Sequence, residues 1–162
     1  MILGLPTPAF TLVHVVLGLI GVISGLIVLF GMLGSKKLPG WTGLFLATTV
    51  LTSATGFFFP VPHLLPSHIV GIISLVTLTI AILALYVFHL AGAWRWIYVT
   101  GAVAALYLNS FVTLFQAFLK VPFVHQLAPT QSEPPFLAAQ SILLVAFIVL
   151  GIVAGRKFHP FA

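Results

Sequence analysis

Long apolar segments separated by short polar breaks dominate this chain. Five of them reach or approach the roughly 20 residues that a helix needs to cross the hydrocarbon core of a bilayer. They cover residues 9–33, 41–59, 66–90, 96–119 and 136–155. The breaks between them are rich in Gly and Pro, which is typical of turns. The pattern predicts an all-α integral membrane bundle of five transmembrane helices, with residues 1–162 forming one domain.

The composition supports this class and excludes several others. Hydrophobic residues make up 61% of the chain and charged residues only 4%, whereas a soluble domain carries about 25% charged residues. A soluble enzyme, a nucleic-acid-binding module and a disordered tail are therefore excluded. The sequence has no Cys, so it offers no disulfide, thiolate ligand or covalent c-type haem attachment. Glu133 is the single acid, which excludes catalysis by paired carboxylates and leaves no catalytic residue to assign.

The positive charges predict an orientation. Five of the six Lys and Arg residues fall on one side of a five-span arrangement, and only Lys120 falls on the other. The five are Lys36, Lys37, Arg95, Arg156 and Lys157. Because Lys and Arg accumulate in cytoplasmic loops, the N-terminus is expected outside and the C-terminus in the cytoplasm.

The first span carries a histidine above a stripe of small residues. At about 100° per residue, His14, Gly18, Gly21 and Gly25 lie within a narrow arc of the helix. Small residues let transmembrane helices approach closely, so this face is expected to point into the bundle. Two interpretations stay open: a close helix–helix contact beside a hydrogen-bonded His14, or a groove that admits a flat ligand held by His14.

A second polar stripe follows one face of the fourth span. Asn109, Thr113, Gln116 and Lys120 recur at helical spacing. Side-chain amides in hydrocarbon are unfavourable unless they are hydrogen-bonded, so Asn109 and Gln116 are expected to face the bundle interior or a wet cavity.

The histidines give the strongest indication of a function. In the five-span arrangement His14, His63, His68 and His125 all lie at or near the outer face. His14 and His68 are at similar depth on different helices, and we expect them to approach each other near Gln116 and to line one cavity with Gly18, Gly21 and Asn109.

Three ligand chemistries suit such a site. Neutral imidazoles from two helices ligate a b-type haem axially. His14, His63, His68, His125 and Glu133 together offer ligands for Zn or Cu(II). His, Asn and Gln side chains also hydrogen-bond the oxygens of a quinone or another membrane-soluble molecule. We expect one of these three, in that order.

The outer loop carries the only family resemblance. The segment LKVPFVHQLAPTQSEPPF, residues 119–136, resembles part of small bacterial multi-spanning membrane proteins of unknown function. The resemblance implies a bacterial inner (plasma) membrane address and transfers no residue role. The four-span cytochrome b561 type carries histidines at both membrane faces, and this chain departs from that pattern on the cytoplasmic side.

These observations predict a membrane protein with one outer-facing histidine site that binds a redox cofactor or ligand. The alternative is a non-catalytic subunit or scaffold whose Gly and Thr faces pack on partner helices, in a homo-oligomer or a larger membrane complex. A small-molecule permease is a third, weaker hypothesis, since the spans contain no acid for ion coupling.

Overall fold

The computed structural model describes residues 1–161, and it confirms the five long helices. All five are long and apolar enough to cross a membrane. In chain order the elements are α1 (Thr7–Leu33), α2 (Pro39–Thr55) with a 3₁₀ turn (Gly56–Phe58), α3 (Pro66–Ile82) with a π-helical turn (Leu83–Val87), α4 (Trp94–Lys120), the short α5 (Pro122–His125) and α6 (Pro134–Lys157). The fold is thus that of a multi-pass membrane protein.

Proline marks where most helices begin. Pro39, Pro66, Pro122 and Pro134 each occupy the first position of their helix. Proline suits this position because its missing N–H would have no helical partner there and its φ is already helical. The same prolines punctuate the sequence, which is why the predicted and observed ends of the spans agree within a few residues.

Helix α4 is the centre of the bundle, since it contacts α1, α2, α3, α5 and α6. Its inner face buries Tyr98, Val99, Ala102 and Leu106. Helices α1 and α2 form the other extensive pair. A second, smaller core of Phe118, Ala128 and Phe136 packs the loop around α5 against the end of α4 and the start of α6.

The end of α3 departs from regular helix. The N–H of Phe88 donates to the carbonyl of Leu83 at 2.9 Å, a π-helical bond that spans five residues. His89 and Leu90 then adopt left-handed backbone conformations with φ of 48° and 59°. The ring of Phe88 stacks on Trp94 with centroids 3.8 Å apart, which closes the corner between α3 and α4.

The five cations predicted to share one side do lie at one end of the bundle. Nη1 of Arg95 donates to the carbonyls of Gly155 and Phe158 at 2.7 and 2.8 Å. The N–H of His159 donates to Ser35 Oγ at 2.8 Å, which ties the end of α6 to the α1–α2 loop. We call this the cationic end, and Lys120 lies at the opposite end of α4.

Candidate functional site

His14 is held against α2 by two hydrogen bonds. Its Nδ1 lies 2.8 Å from Thr55 Oγ1, and its backbone carbonyl accepts from the Thr52 hydroxyl at 3.1 Å. Thr55 Oγ1 also lies 2.7 Å from the carbonyl of Leu51, which can only accept. Because a hydroxyl has a single hydrogen, we assign that hydrogen to the carbonyl and His14 Nδ1 as the donor in the first bond. The neutral imidazole of His14 therefore carries a lone pair on Nε2.

His68 has the opposite arrangement. It is buried in the first turn of α3, where its Nδ1 accepts from the backbone N–H of Leu65 at 2.9 Å. A neutral imidazole that accepts through Nδ1 carries its hydrogen on Nε2. His68 is thus a capping residue of α3 whose remaining ring nitrogen is a donor.

Both histidines converge on the turn that ends α2. The His14 ring packs edge-on against Phe59 with centroids 5.2 Å apart, and the His68 ring packs on Phe57 at 5.4 Å. Within residues 1–161 no hydrogen bond or ring contact joins His14 to His68 directly. The structure thus brings them to one short segment, and a shared cavity stays a prediction.

The glycine face of α1 is filled by neighbouring helices. A Cβ on Gly21 would lie 2.9 Å from both Asn109 Nδ2 and Thr49 Oγ1, and one on Gly18 would lie 3.3 Å from Thr52 Oγ1. Of the two interpretations of this face, the geometry favours the close helix contact. A flat ligand reaches Gly18 and Gly21 only by displacing those side chains.

Both side-chain amides in the polar stripe of α4, those of Asn109 and Gln116, point into the bundle. Asn109 Nδ2 donates to the carbonyl of Gly18 at 3.1 Å, which confirms that Asn109 faces the bundle. Thr113 bonds back to the carbonyl of Asn109 at 2.8 Å. Gln116 Oε1 is buried and accepts no hydrogen bond from residues 1–161.

The other candidate metal ligands are scattered. His63 is exposed in the loop before α3, and His125 Nδ1 lies 3.0 Å from the carbonyl of Phe118. Glu133 precedes α6 and accepts from the N–H and hydroxyl of Thr130. Across residues 1–161 there is no group of three or more His or Glu side chains that could hold a metal ion.

Glu133 immediately precedes α6, and its carboxylate bonds only to residues that come before it in the chain. Its carboxylate accepts from the N–H groups of Thr130 and Ser132 at 3.1 to 3.2 Å, and it makes no bond to the first turn of α6. Partial desolvation acts to raise the pKa of Glu133, and the hydrogen bonds from Thr130 and Ser132 outweigh it and lower that pKa below its usual value.

A cavity that the sequence pattern does not indicate lies at the cationic end. A space of about 180 Å³ opens between the ends of α1, α2, α3 and α4. Its polar lining is Lys36, Lys37, Thr42, Tyr86, His89 and Tyr98. In the sequence the two lysines indicate only the orientation of the spans. Counting spans also places them at the same membrane level as His89, and this shared level is the sequence feature that points to the three residues as a group.

Comparisons with family models, curated proteins and solved structures give no match to this chain. Its fold places it in the class of all-helical multi-pass membrane proteins.

Proposed function

We propose that the end of the bundle bearing His14 and His68 binds a membrane-soluble molecule through hydrogen bonds to the two imidazoles. The observation that carries the proposal is the pair of Nδ1 hydrogen bonds, from which we assign a lone pair to His14 Nε2 and a hydrogen to His68 Nε2. A ligand with hydroxyl groups satisfies both, because a hydroxyl donates and accepts. The ligand class that fits is a quinone, bound in its reduced, hydroxyl-bearing form.

The buried oxygen of Gln116 supports the same chemistry. It is an acceptor without a partner among residues 1–161, and a ligand hydroxyl is the kind of donor it lacks. The aromatic rings of Phe57 and Phe59 beside the histidines suit a flat apolar headgroup.

A b-type haem fits only one of the two residues. An axial histidine gives an imidazole lone pair to iron, commonly while its other ring N–H is hydrogen-bonded. His14 meets this requirement, since Nδ1 donates to Thr55. His68 does not, because its Nδ1 already accepts from Leu65. Ligation of haem by both histidines would require His68 to give up its hydrogen bond to the Leu65 N–H at the start of α3. We therefore propose a quinone ahead of haem.

A divalent metal would require a larger rearrangement. His125 and Glu133 are each hydrogen-bonded within the loop that contains α5, and His14 and His68 belong to other helices. These four residues would have to leave their present partners to surround one ion.

The test compares reduced and oxidised ligand on the purified protein. Decylubiquinol and decylubiquinone are titrated into nanodiscs, and binding is measured as the shift in thermal unfolding temperature. We expect the quinol to bind more tightly. His14→Phe keeps an aromatic ring against Phe59 but removes the acceptor, and it should weaken quinol binding by about 3- to 10-fold, as the loss of one neutral hydrogen bond implies.

His63→Phe is the matched control, because His63 is exposed and belongs to the adjacent loop. It should leave the quinol affinity unchanged. Equal binding of quinone and quinol, or equal losses in the two variants, would contradict the proposal.

An absorption spectrum distinguishes haem from a quinone as the bound ligand. A Soret band in the purified protein that disappears in both His14→Ala and His68→Ala, with the helical content intact, would replace the quinone by haem.

The alternative function is that of a non-catalytic subunit or scaffold. The Gly and Thr faces expected to engage partners are occupied within the chain, since Gly18 and Gly21 pack against Thr52 and Thr49. A partner would instead cover α6, whose Ile142, Val145, Ile148 and Val149 are exposed. A stable complex that forms through these side chains, together with no quinol binding, would favour this function.

The proposed setting is the inner membrane of a bacterium, with the N-terminus outside. The supporting observation is the grouping of Lys36, Lys37, Arg95, Arg156 and Lys157 at one end of the bundle. The histidine site then faces outward.

A further inference from the structure

The cavity at the cationic end has positive charge at its mouth, and its interior is lined by apolar side chains together with the buried Thr42 and Tyr98. Lys36, Lys37 and His89 are exposed and line its mouth. Met32, Leu85 and Phe158 line it further inside, where Met32 and Phe158 are each only 2% exposed. A site of this kind suits a molecule with a charged group at one end and an apolar part at the other.

The charges at the mouth have no acidic side chain to pair with. The chain contains one acid, Glu133, and it lies before α6 at the far end of the bundle, bonded to Thr130 and Ser132. No acidic side chain lines the cavity within the part of the chain that is described. Lys36 and Lys37 therefore present net positive charge to whatever enters, and an anion is the complementary ligand.

The backbone beside the cavity departs from regular helix. The π-helical turn over Leu83–Val87 holds Leu85 and Tyr86, and the left-handed residue His89 follows it. Single π turns recur at functional sites, and a bulky residue at positive φ persists where the surroundings impose it.

The size of the cavity limits what it can hold. An engineered protein cavity of about 150 Å³ accepts a benzene ring, and this one measures about 180 Å³. The cavity of this protein can therefore hold a small anionic group with a short apolar segment attached, but not a whole lipid. The remainder of a longer molecule would extend past Tyr86, which is 52% exposed.

We propose that this cavity is a binding site for an anionic phosphate group, with Lys36, Lys37 and His89 holding the phosphate and Met32, Leu85 and Phe158 contacting the adjoining apolar part. The cavity opens at the ends of the spans, where phospholipid headgroups lie. Two sources share this chemistry: the headgroup of an acidic phospholipid, and a soluble phosphate compound.

The experiment uses the full chain in nanodiscs of phosphatidylcholine, with and without added phosphatidylglycerol, and in a third arm with inorganic phosphate alone. Binding is measured as the rise in unfolding temperature and as the number of phosphatidylglycerol molecules retained in native mass spectrometry. The test variant is the double substitution Lys36→Gln and Lys37→Gln. Both side chains are exposed, so the fold should persist.

The matched control is the double substitution Arg156→Gln and Lys157→Gln. It removes the same charge from the same end of the bundle but from residues that do not line the cavity. We expect the lysine variant to bind at least about tenfold more weakly and the control to bind as the unchanged protein does. Stabilisation by phosphatidylglycerol alone identifies a lipid ligand, and stabilisation by inorganic phosphate identifies a soluble one.

Equal losses in the two double variants would mean that the cations only attract an acidic membrane surface, and this would overturn the proposal. Absence of stabilisation in every arm would overturn it as well. The histidine site plays no part in these measurements, so either proposal can fail without the other.

Discussion

Gly25 leaves no room for a side chain on the face of α1 that meets α2 and α4. A Cβ there would lie 2.5 Å from Leu106 Cδ1 and 2.8 Å from two ring carbons of Phe45. Both neighbours are 1% exposed, so they have little space to yield. At this position the small residue is required by packing on two helices at once.

We expect Gly25→Ala to destabilise the protein by about 1–3 kcal/mol, the usual result of inserting a methyl group into a filled core. Gly43→Ala is the control, because Gly43 lies within α2 with nothing within 4 Å of its missing Cβ. Thermal unfolding in detergent compares the two. A Gly25 variant as stable as the Gly43 variant would show that Phe45 and Leu106 can move aside.

His68 stabilises the start of α3 as well as offering a donor. Its Nδ1 satisfies the N–H of Leu65, the task that Glu or Gln performs from the third helical position of a capping box. We expect His68→Ala to destabilise the protein by about 0.5–2 kcal/mol. His68→Gln should retain most of that stability in the same unfolding measurement, and an equal loss in both variants would contradict the capping role.

The loop between α5 and α6 contains the carboxylate of Glu133, which accepts hydrogen bonds from its backbone. The bonds from Thr130 and Ser132 lower the pKa of Glu133. A carboxylate with a lowered folded-state pKa contributes its stabilisation fully above the usual Glu pKa of about 4.3, and loses it as the pH falls through the folded-state value.

We therefore expect the amide hydrogens of Thr130 and Ser132 to be protected from exchange near neutral pH and to lose that protection in acid. Exchange rates, corrected for their intrinsic pH dependence, provide the measurement. Glu133→Gln should remove the pH dependence of this protection, and a variant that keeps it would show that another group titrates.

Regular elements were predictable from the sequence, and the irregular ones were not. Apolar length and prolines such as Pro66 and Pro134 specify the helices and their starts. The inward face of Asn109 follows from the unfavourable burial of an unbonded amide. The π turn at Leu83–Val87 has no periodic signature, because one extra residue in a turn leaves the apolar run unbroken.

The two histidines show the same limit on what the sequence can predict about the site. Helical phase placed His14 toward the interior and chain topology placed His68 at the same level. Neither shows which ring nitrogen is bonded, and that depends on the neighbours Thr55 and Leu65. The cavity at the cationic end arises from four helix ends together, so no single segment indicates it.

At the scale of the whole molecule, five spans require the two termini to be on opposite sides of the membrane. Because the chain has no native Cys, a single introduced Cys reports its own side. We expect His63→Cys to react with an impermeant maleimide in intact cells, and His159→Cys to react only after permeabilisation. Both native residues are exposed. Labelling of both from one side would contradict the five-span fold, and the reverse pattern would invert the orientation.

The π turn at the end of α3 also has a consequence for related sequences. A π turn contains one residue more than the α turn it replaces, so it acts as a one-residue insertion that rotates everything after it by about 100°. Tyr86, within the turn, and His89, just after it, both line the cavity. Relatives whose third helix is one residue shorter between Leu83 and Phe88 should lack the cavity.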